Sequence, residues 1–378
     1  MIEEMVFMRV LHIISGSDSG GAKNHLLSLC SGSDALFKSI IGCINKGVLY
    51  EQASSLGFDV KLFEQSSRLD LGIIKDITDF AQNNKIDIIN FHGAKPNFLY
   101  IFLRNKVSIP CVTTIHSDYR YDFINNRLKY VLFTPLNIIA LKTFNSFICV
   151  SGKVKKLLEE KKFSGRKYVV ANGIDDTLKI KETRTDIRDK YGIPRSAFVY
   201  TTVARLHPIK NHKNLIIAAG KLVDEYKDIR LLLIGDGGYD KKLKAMVKKL
   251  KIDNSVIFAG YQQNPLDFIN AGDINVLTSF NETFPIVILE GALVKKAAVC
   301  SDVGDIKDIL SSENGFLINP KSPDDIYENM KQAYIRRDEL GRMGEKLYKA
   351  VTLNYTLDKF HRRYHEAYKE ILAGDNNG

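Results

Sequence analysis

The sequence predicts an α/β fold built as two similar halves facing across a cleft. Three observations carry that prediction. Short β-branched runs alternate with longer helical periodicities through most of the chain, the pattern of parallel sheets covered by helices on both faces. The alternation pauses over residues 176–196, DTLKIKETRTDIRDKYGIPRS, and then restarts. The chain has 378 residues, more than one hydrophobic core accommodates.

In order, RVLHIIS, KSIIGCI, DVKLF, DIINFHG, PCVTTIH, SFICVS and KYVVAN read as buried strands, being short, β-branched and bounded by turn residues. Helical segments such as GAKNHLLSLCSG, LGIIKDITDFAQNN and SGKVKKLLEEKKF separate many of them. After the charged pause come FVYTTVARL, IRLLLIGDG, SVIFAG, DINVLTS and AAVCSDV. The expected domains are 1–177 and 178–354. A last helix over 355–378 is expected to cross back onto the first domain. No repeat or low-complexity tract is present, which excludes solenoids and disorder.

Composition narrows the function classes. The five cysteines are scattered and form no C-x-x-C pair, which argues for reduced thiols, a cytoplasmic location, and neither a disulfide frame nor a zinc site. Residues 1–7 lack the basic start and cleavage site of a signal peptide and read as a short extension before Met8. No apolar run reaches the roughly 18–20 residues that span a bilayer. The formal charge is +10, and residues 127–167 alone hold ten Lys or Arg against Glu159 and Glu160. Such an excess suits an anionic partner.

Several clusters carry chemistry. In SFNETFPIVILEGA, residues 279–292, two carboxylates interrupt an apolar run. Pro285 fits a first helical turn, so a helix is expected from about Phe284, with Glu282 in the loop before it and Glu290 inside. Backbone N–H groups at Phe284, Ile286 and Val287 would then form an anion site, flanked by acids that accept from hydroxyls. The plain alternative is a buried helix whose Glu290 is satisfied by a backbone or lysine partner. VARLHPIKN puts Arg205 and Lys210 in one loop after a strand, a planar fork and a point charge suited to a diphosphate, or simply a solvated loop. Gly20 and Gly21 follow the first strand and open a helix, as phosphate-binding turns do; a tight turn explains them equally. His116 and His92 stand at strand ends, where a structural hydrogen-bonding role competes with a catalytic one.

Taken together these motifs resemble the family 4 retaining glycosyltransferases, which have two Rossmann-like domains in the GT-B architecture. The resemblance rests on the Gly20-Gly21 loop, VS at 150–151, NGID at 172–175, ARL…KN, GDG at 235–237, FAGY at 258–261, ETFPIVILE at 282–290 and NGFLINP at 314–320. It implies that Arg205 and Lys210 hold the donor diphosphate and that Glu282 and nearby N–H groups contact sugar and phosphates. It further implies that Glu290 contacts the ribose and that His116 lies near the transferred sugar. Three positions depart from the family pattern: Ala204 replaces Gly before the arginine, Gly304-Asp305 with Asp308 replaces a glycine pair followed by Glu, and Lys23 replaces Glu.

The expected activity is therefore transfer of a sugar from a nucleotide donor, UDP preferred, to a hydroxyl acceptor, with retained configuration, front-side attack and no metal or other cofactor. No D-x-D lies on a plausible donor-facing loop. A sugar-nucleotide 2-epimerase shares fold and donor and is the main alternative. A dinucleotide oxidoreductase lacks G-x-G-x-x-G, and a nucleic-acid-binding protein lacks stacking aromatics. The resemblance also suggests a lipid-linked glycan acceptor in cell-surface polysaccharide synthesis. Residues 127–162 would then rest on an anionic membrane surface at its cytoplasmic face: RLKYVLFTPLNIIALK places apolar residues between Arg127, Lys129 and Lys142, and five lysines follow in SGKVKKLLEEKKF. The alternative is a buried core helix over 130–141 beside a solvated lysine face.

Overall fold

The computed structural model describes residues 8–18, 20–32, 35–64, 70–122 and 127–375, apart from the side chains of Tyr121, Lys129 and Asp375. The expectation about residues 1–7 falls outside that set. The chain divides into two compact units, residues 1–173 with 357–378, and residues 174–356. The first break falls four residues before the expected boundary, because Ile174 and Thr356 bridge as parallel neighbours inside the second unit.

The first unit contains β1 (Met8–Ile14), α1 (Gly21–Cys30), β2 (Phe37–Cys43), α2 (Val48–Ser55), β3 (Val60–Leu62), α3 (Gly72–Asn83), β4 (Ile88–His92), α4 (Ala94–Leu103), β5 (Cys111–Ile115), α5 (Arg127–Leu141), β6 (Ser146–Cys149), α6 (Gly152–Glu160) and β7 (Arg166–Val169). Its sheet runs β3-β2-β1-β4-β5-β6-β7, parallel at every pairing. Burial explains the β-branched runs: β1 and β4 are almost wholly buried, as strands covered on both faces must be.

The second unit contains α7 (Arg184–Lys190), β8 (Phe198–Val203), α8 (His212–Glu225), β9 (Ile229–Ile234), α9 (Asp240–Lys249), β10 (Val256–Gly260), α10 (Pro265–Ala271), β11 (Ile274–Leu277), α11 (Ile286–Leu293), β12 (Ala298–Ser301), β13 (Gly315–Ile318), α12 (Pro323–Ile335) and α13 (Leu340–Asn354). Its parallel sheet runs β10-β9-β8-β11-β12-β13. The charged pause contains α7, started by a reciprocal cap between Thr183 and Asp186. Arg188, on α7, is buried and donates to Asp273 at 2.9 Å and to the Ala271 carbonyl at 2.9 Å, so the strandless pause contains the second unit's first helix.

The last helix, α14 (Leu357–Asp375), belongs to the first unit. Phe360, Tyr364, Tyr368 and Ile371 enter a core with β1, α1 and β2. All five cysteines are free thiols. Among the described residues no helix is long and apolar enough to cross a membrane.

α5 reverses the usual arrangement of a surface helix. Leu128, Val131, Leu132, Leu136 and Ile139 are exposed, and at spacings of three, four and eight they share one face. The buried face carries Thr134 and Asn137 as well as Ala140 and Leu141, Asn137 accepting from Asn97 on α4 at 3.2 Å. The buried-core alternative for 130–141 holds only for its last turn, where Ile138 and Leu141 join the core; the stripe of Val131, Leu132, Leu136 and Ile139 faces outward.

Candidate functional site

In the second unit the strand order turns at β8, which has β9 on one side and β11 on the other. Ligands of such sheets collect beyond the carboxyl ends at this point. The loops leaving β8, β9, β11 and β12 there carry the residues singled out from sequence.

The β8 loop is held rigidly. Leu206 N–H donates to the Asp236 carbonyl at 2.6 Å, and Ala204 N–H to that of Ile234 at 3.0 Å. Gly235 has φ +134°, and a Cβ there would stand 2.1 Å from the Ala204 carbonyl oxygen. The GDG motif is thus a steric requirement of the arginine loop. A short 3-10 turn, Pro208–Lys210, ends at Asn211, whose φ of +58° is left-handed. The Asn211 amide donates to the carbonyls of Thr278 at 3.1 Å and Pro320 at 2.7 Å, tying the β8 loop to the ends of β11 and β13. Arg205 projects from this loop, exposed and without an ion-pair partner among the described residues.

Lys210 and Glu282 meet. Lys210 Nζ donates to Glu282 Oε1 at 2.5 Å, with the two side chains 24% and 14% exposed. From sequence these residues have separate duties toward a ligand; in the structure they are a pair, which fixes the ammonium at one place. Gly304 backs the Glu282 segment. Its φ is +63°, and a Cβ would lie 2.7 Å from the Glu282 carbonyl oxygen. A single glycine therefore meets the steric need here, where the family pattern has two.

α11 starts two residues later than expected. Pro285 is its N-cap and, lacking an N–H, cannot donate to an anion. Phe284 is buried, its ring 5.3 Å from that of Tyr355; that packing holds Phe284 outside the helix. The helix-start donors are the first-turn amides of Ile286 and Val287, while Ile288 N–H already donates to the Pro285 carbonyl at 3.1 Å. Glu290 lies one turn inside, in dense surroundings although part of the residue reaches solvent. Burial pushes its carboxyl up to about 7. It has no hydrogen-bond partner among the described residues, so the backbone or lysine partner of the plain alternative is absent.

The first unit turns its strand order between β1 and β4. A cavity of about 340 Å³ lies there, lined by Ser15, Asp18, Gly93, Asn97, Thr114, His116 and Tyr119 among others. His116 Nε2 lies 2.9 Å from His92 Nδ1, and His92 Nε2 lies 3.1 Å from His12 Nδ1. His25 packs edge-on against His116 at 4.7 Å. Its Nδ1 contacts Asn172 Oδ1 at 2.5 Å and its Nε2 the Tyr364 hydroxyl at 2.7 Å. Burial is the main cause lowering all four imidazoles, His12 to about 3 and His25 to about 4. Gly20 and Gly21 stand at the start of α1, with open space where a Cβ would project. Lys23, the departure from the family pattern, donates to Gln52 on α2 at 2.5 Å.

His12 and His25 were missed in the sequence. A lone histidine inside VLHII, or on the apolar face of HLL, reads as core. The available signal was their position one strand length or one turn from the glycine loop.

Comparison with known proteins covers both units. The family model described as Glycosyltransferase Family 4 matches residues 19–178, and Glycosyl transferases group 1 matches 183–350. The chain is 26% identical over 322 residues to N-acetyl-alpha-D-glucosaminyl L-malate synthase of Bacillus anthracis, covering 82% of this chain and 81% of that one. It is 25% identical over 264 residues to UDP-Gal:alpha-D-GlcNAc-diphosphoundecaprenol alpha-1,3-galactosyltransferase of Escherichia coli, covering 66% and 68%. Anabaena HepE in complex with UDP has a TM-score of 0.83 at 18% identity, covering 96% of this chain and 100% of that one. A glycosyltransferase from Rickettsia africae gives 0.82 at 21%, covering 97% and 99%.

Proposed function

This chain belongs to the family 4 glycosyltransferases, and from that premise we propose that it moves a sugar from a UDP-sugar to a hydroxyl of a lipid-linked glycan, with retained configuration and without a metal. The observation that carries the reading is the second unit's loop cluster, where Arg205, the Lys210–Glu282 pair and the start of α11 occupy the carboxyl edge of one sheet.

In this reading the donor's bond from anomeric carbon to phosphate oxygen breaks, and negative charge grows on the diphosphate. Arg205 presents a planar fork to those oxygens and Lys210 a point charge. The Ile286 and Val287 amides add fixed dipoles, and such preorganised donors are the usual main source of acceleration. Glu282 holds Lys210 in place and accepts from a sugar hydroxyl. The acceptor hydroxyl attacks from the same face, and its proton passes to the departing phosphate oxygen. Glu290 accepts from the ribose hydroxyls. Within the first unit, Gly20 and Gly21 leave backbone open to a ligand, and His116 presents a ring nitrogen to the cavity there. The two cations supply the charge compensation that a metal gives other enzymes.

The lipid-linked acceptor accounts for α5. Its outward apolar stripe, with exposed Phe102 on the neighbouring α4 and exposed Arg127, Arg104 and Lys106, suits the interface of an anionic bilayer. The Escherichia coli relative's name specifies a diphosphoundecaprenol acceptor, which supports this choice.

The test is a donor screen scored by UDP release with and without lipid-linked acceptors, EDTA being added in parallel. Acceptor-dependent release, an α-configured product from an α-donor and indifference to EDTA are expected. A new sugar nucleotide formed from donor alone would replace the reading with an epimerase; activity lost to EDTA and restored by magnesium would remove the metal-free part.

A further inference from the structure

His12, His92 and His116 form a single hydrogen-bonded file whose inner end is a dead end. His12 is wholly buried, and its Nε2 has no hydrogen-bond partner. Its Nδ1 meets His92 Nε2 at 3.1 Å, and His92 Nδ1 meets His116 Nε2 at 2.9 Å. The outer end, His116 Nδ1, is the ring nitrogen that no described residue engages.

A neutral imidazole carries one N–H and one bare nitrogen, so the file has only two arrangements. In one, every proton points inward: His116 donates to His92, His92 to His12, and His12 is left with a buried N–H that has no acceptor. In the other, every proton points outward: His12 Nδ1 donates to His92, His92 Nδ1 donates to His116 Nε2, and the dead end is a bare nitrogen. Buried N–H groups without a partner are rarer in proteins than buried acceptors without a donor. The outward arrangement is therefore favoured. It leaves His116 with its proton on Nδ1, the atom free to meet a ligand.

The neighbouring histidine shows the same device. His25 Nδ1 faces Asn172 Oδ1, an acceptor, so it carries the proton, and its bare Nε2 accepts from Tyr364. Its ring stands at 82° to that of His116 and restricts rotation about the His116 side chain. The depressed basicity of all four rings keeps them neutral through the physiological range.

We infer that His92 and His12 are positioning residues that lock His116 as an Nδ1–H donor, so that the first unit's cavity recognises an acceptor oxygen of the substrate there. The inference rests on the proposed glycosyl transfer only for its kinetic consequence. Ring tautomers set by the partner of the second nitrogen are a general property of histidine.

The experiment is nitrogen-15 NMR of histidine-labelled full-length protein, with His116→Gln used for assignment. Wild type should show His116 protonated at Nδ1 and bare at Nε2. His92→Phe removes the donor to Nε2 and should move the proton to Nε2. It should also lower kcat about tenfold or more, the scale of one lost hydrogen bond, with KM for the UDP-sugar changed less than about twofold. His12→Asn, whose amide can still donate to His92, should keep the Nδ1–H signature. A wild-type His116 protonated at Nε2 would overturn the inference even if no variant folded, and so would a shifted tautomer with unchanged kcat. Absence of transfer from any UDP-sugar would instead defeat the proposed function, leaving the tautomer result to stand on its own.

Discussion

The two units share a topology and place opposite chemistry at the same point of it. Each sheet reverses its strand order beside its first strand, β1 in one unit and β8 in the other. Beyond β8 stand Arg205, Lys210 and Glu282, charged and reached by solvent. Beyond β1 and β4 stand imidazoles that burial keeps neutral. A charged ligand group needs cations that remain ionised before it arrives, which favours part-exposed side chains with a carboxylate nearby. Recognition by direction alone needs groups whose orientation is fixed, which burial supplies. The fold therefore determines where a ligand sits, and the degree of burial determines how it is recognised.

The largest expected effect tests the charged side of this contrast. Arg205→Ala and Lys210→Ala should each lower turnover by about a hundredfold or more, the scale of losing one transition-state donor, while both proteins remain folded. Near-normal turnover in either purified variant would remove that residue from the diphosphate site.

Next comes α5. Replacing Leu128, Leu132 and Ile139 with Ser should reduce sedimentation with anionic vesicles about tenfold or more, since each buried apolar side chain contributes about 1.5–3 kcal/mol. Wild-type binding should weaken in 0.5 M salt, because the Debye length falls from about 10 Å at 0.1 M toward about 3 Å at 1 M. Failure of the wild type to pellet at low salt would turn the search to soluble acceptors.

A smaller effect belongs to Glu290. Its carboxyl titrates near 7, and only the ionised form is an unrestricted acceptor for ribose hydroxyls. UDP affinity should therefore rise severalfold between about pH 6 and 8 in wild type. Glu290→Gln should flatten that profile, and calorimetry showing equal pH dependence in both would exclude the ribose contact.

The smallest effect distinguishes the units by acid. A histidine whose folded pKa is lowered leaves the unfolded chain binding more protons below about 6.5, so stability is present above that pH and is lost as pH falls toward the folded value. The first unit holds His12, His25, His92, His116, His361 and His365, all lowered. The second has His207 and His212, lowered likewise. Glu290 works the other way: its raised carboxyl stabilises the folded state on the acid side and loses that contribution as pH rises from about 4.5 to 7. Hydrogen exchange, corrected for intrinsic rates, should show protection in β1, β4 and β5 falling more between pH 7 and 5.5 than in β8, β9 and β11. Equal losses would show that the histidine file is not an energetic distinction.

Much of this was legible in the sequence. Twelve of the thirteen strands coincide with runs read as strands from their short β-branched composition; the inner ones are buried on both faces, while the edges β3 and β7 are only partly covered. β13 was read only as the NGFLINP motif, its four residues being too short a run to stand out. Arg205, Lys210 and Glu282 were legible because each stands in a motif, ARL…KN or ETFPIVILE, that follows a strand and leads toward a helix. The Lys210–Glu282 pairing was not, since 72 residues separate the two and only the closure of β8 against β11 joins them. The start of α11 was misplaced because Tyr355, far along the chain, draws Phe284 into a packed contact. α5 was ambiguous for a simpler reason: its stripe and its flanks are both apolar, so periodicity did not say which side faces inward. Asn137 answers that only once its buried partner Asn97, on another helix, is known.

The return of α14 has a consequence for synthesis. The second unit is one continuous stretch, 174–356, whereas the first is assembled from both ends of the chain. When a ribosome reaches Thr356 the second unit has all of its residues. The first unit, begun long before, still lacks Tyr364 for His25, Tyr368 for Asn90 at 2.8 Å, and the aromatic ring that covers Phe37. The unit begun first is thus completed after the second, and His25 gains its Tyr364 hydroxyl partner only once α14 has been made. A chain stopped at Thr356 should accordingly resist protease across 174–356 and be cleaved within 8–173.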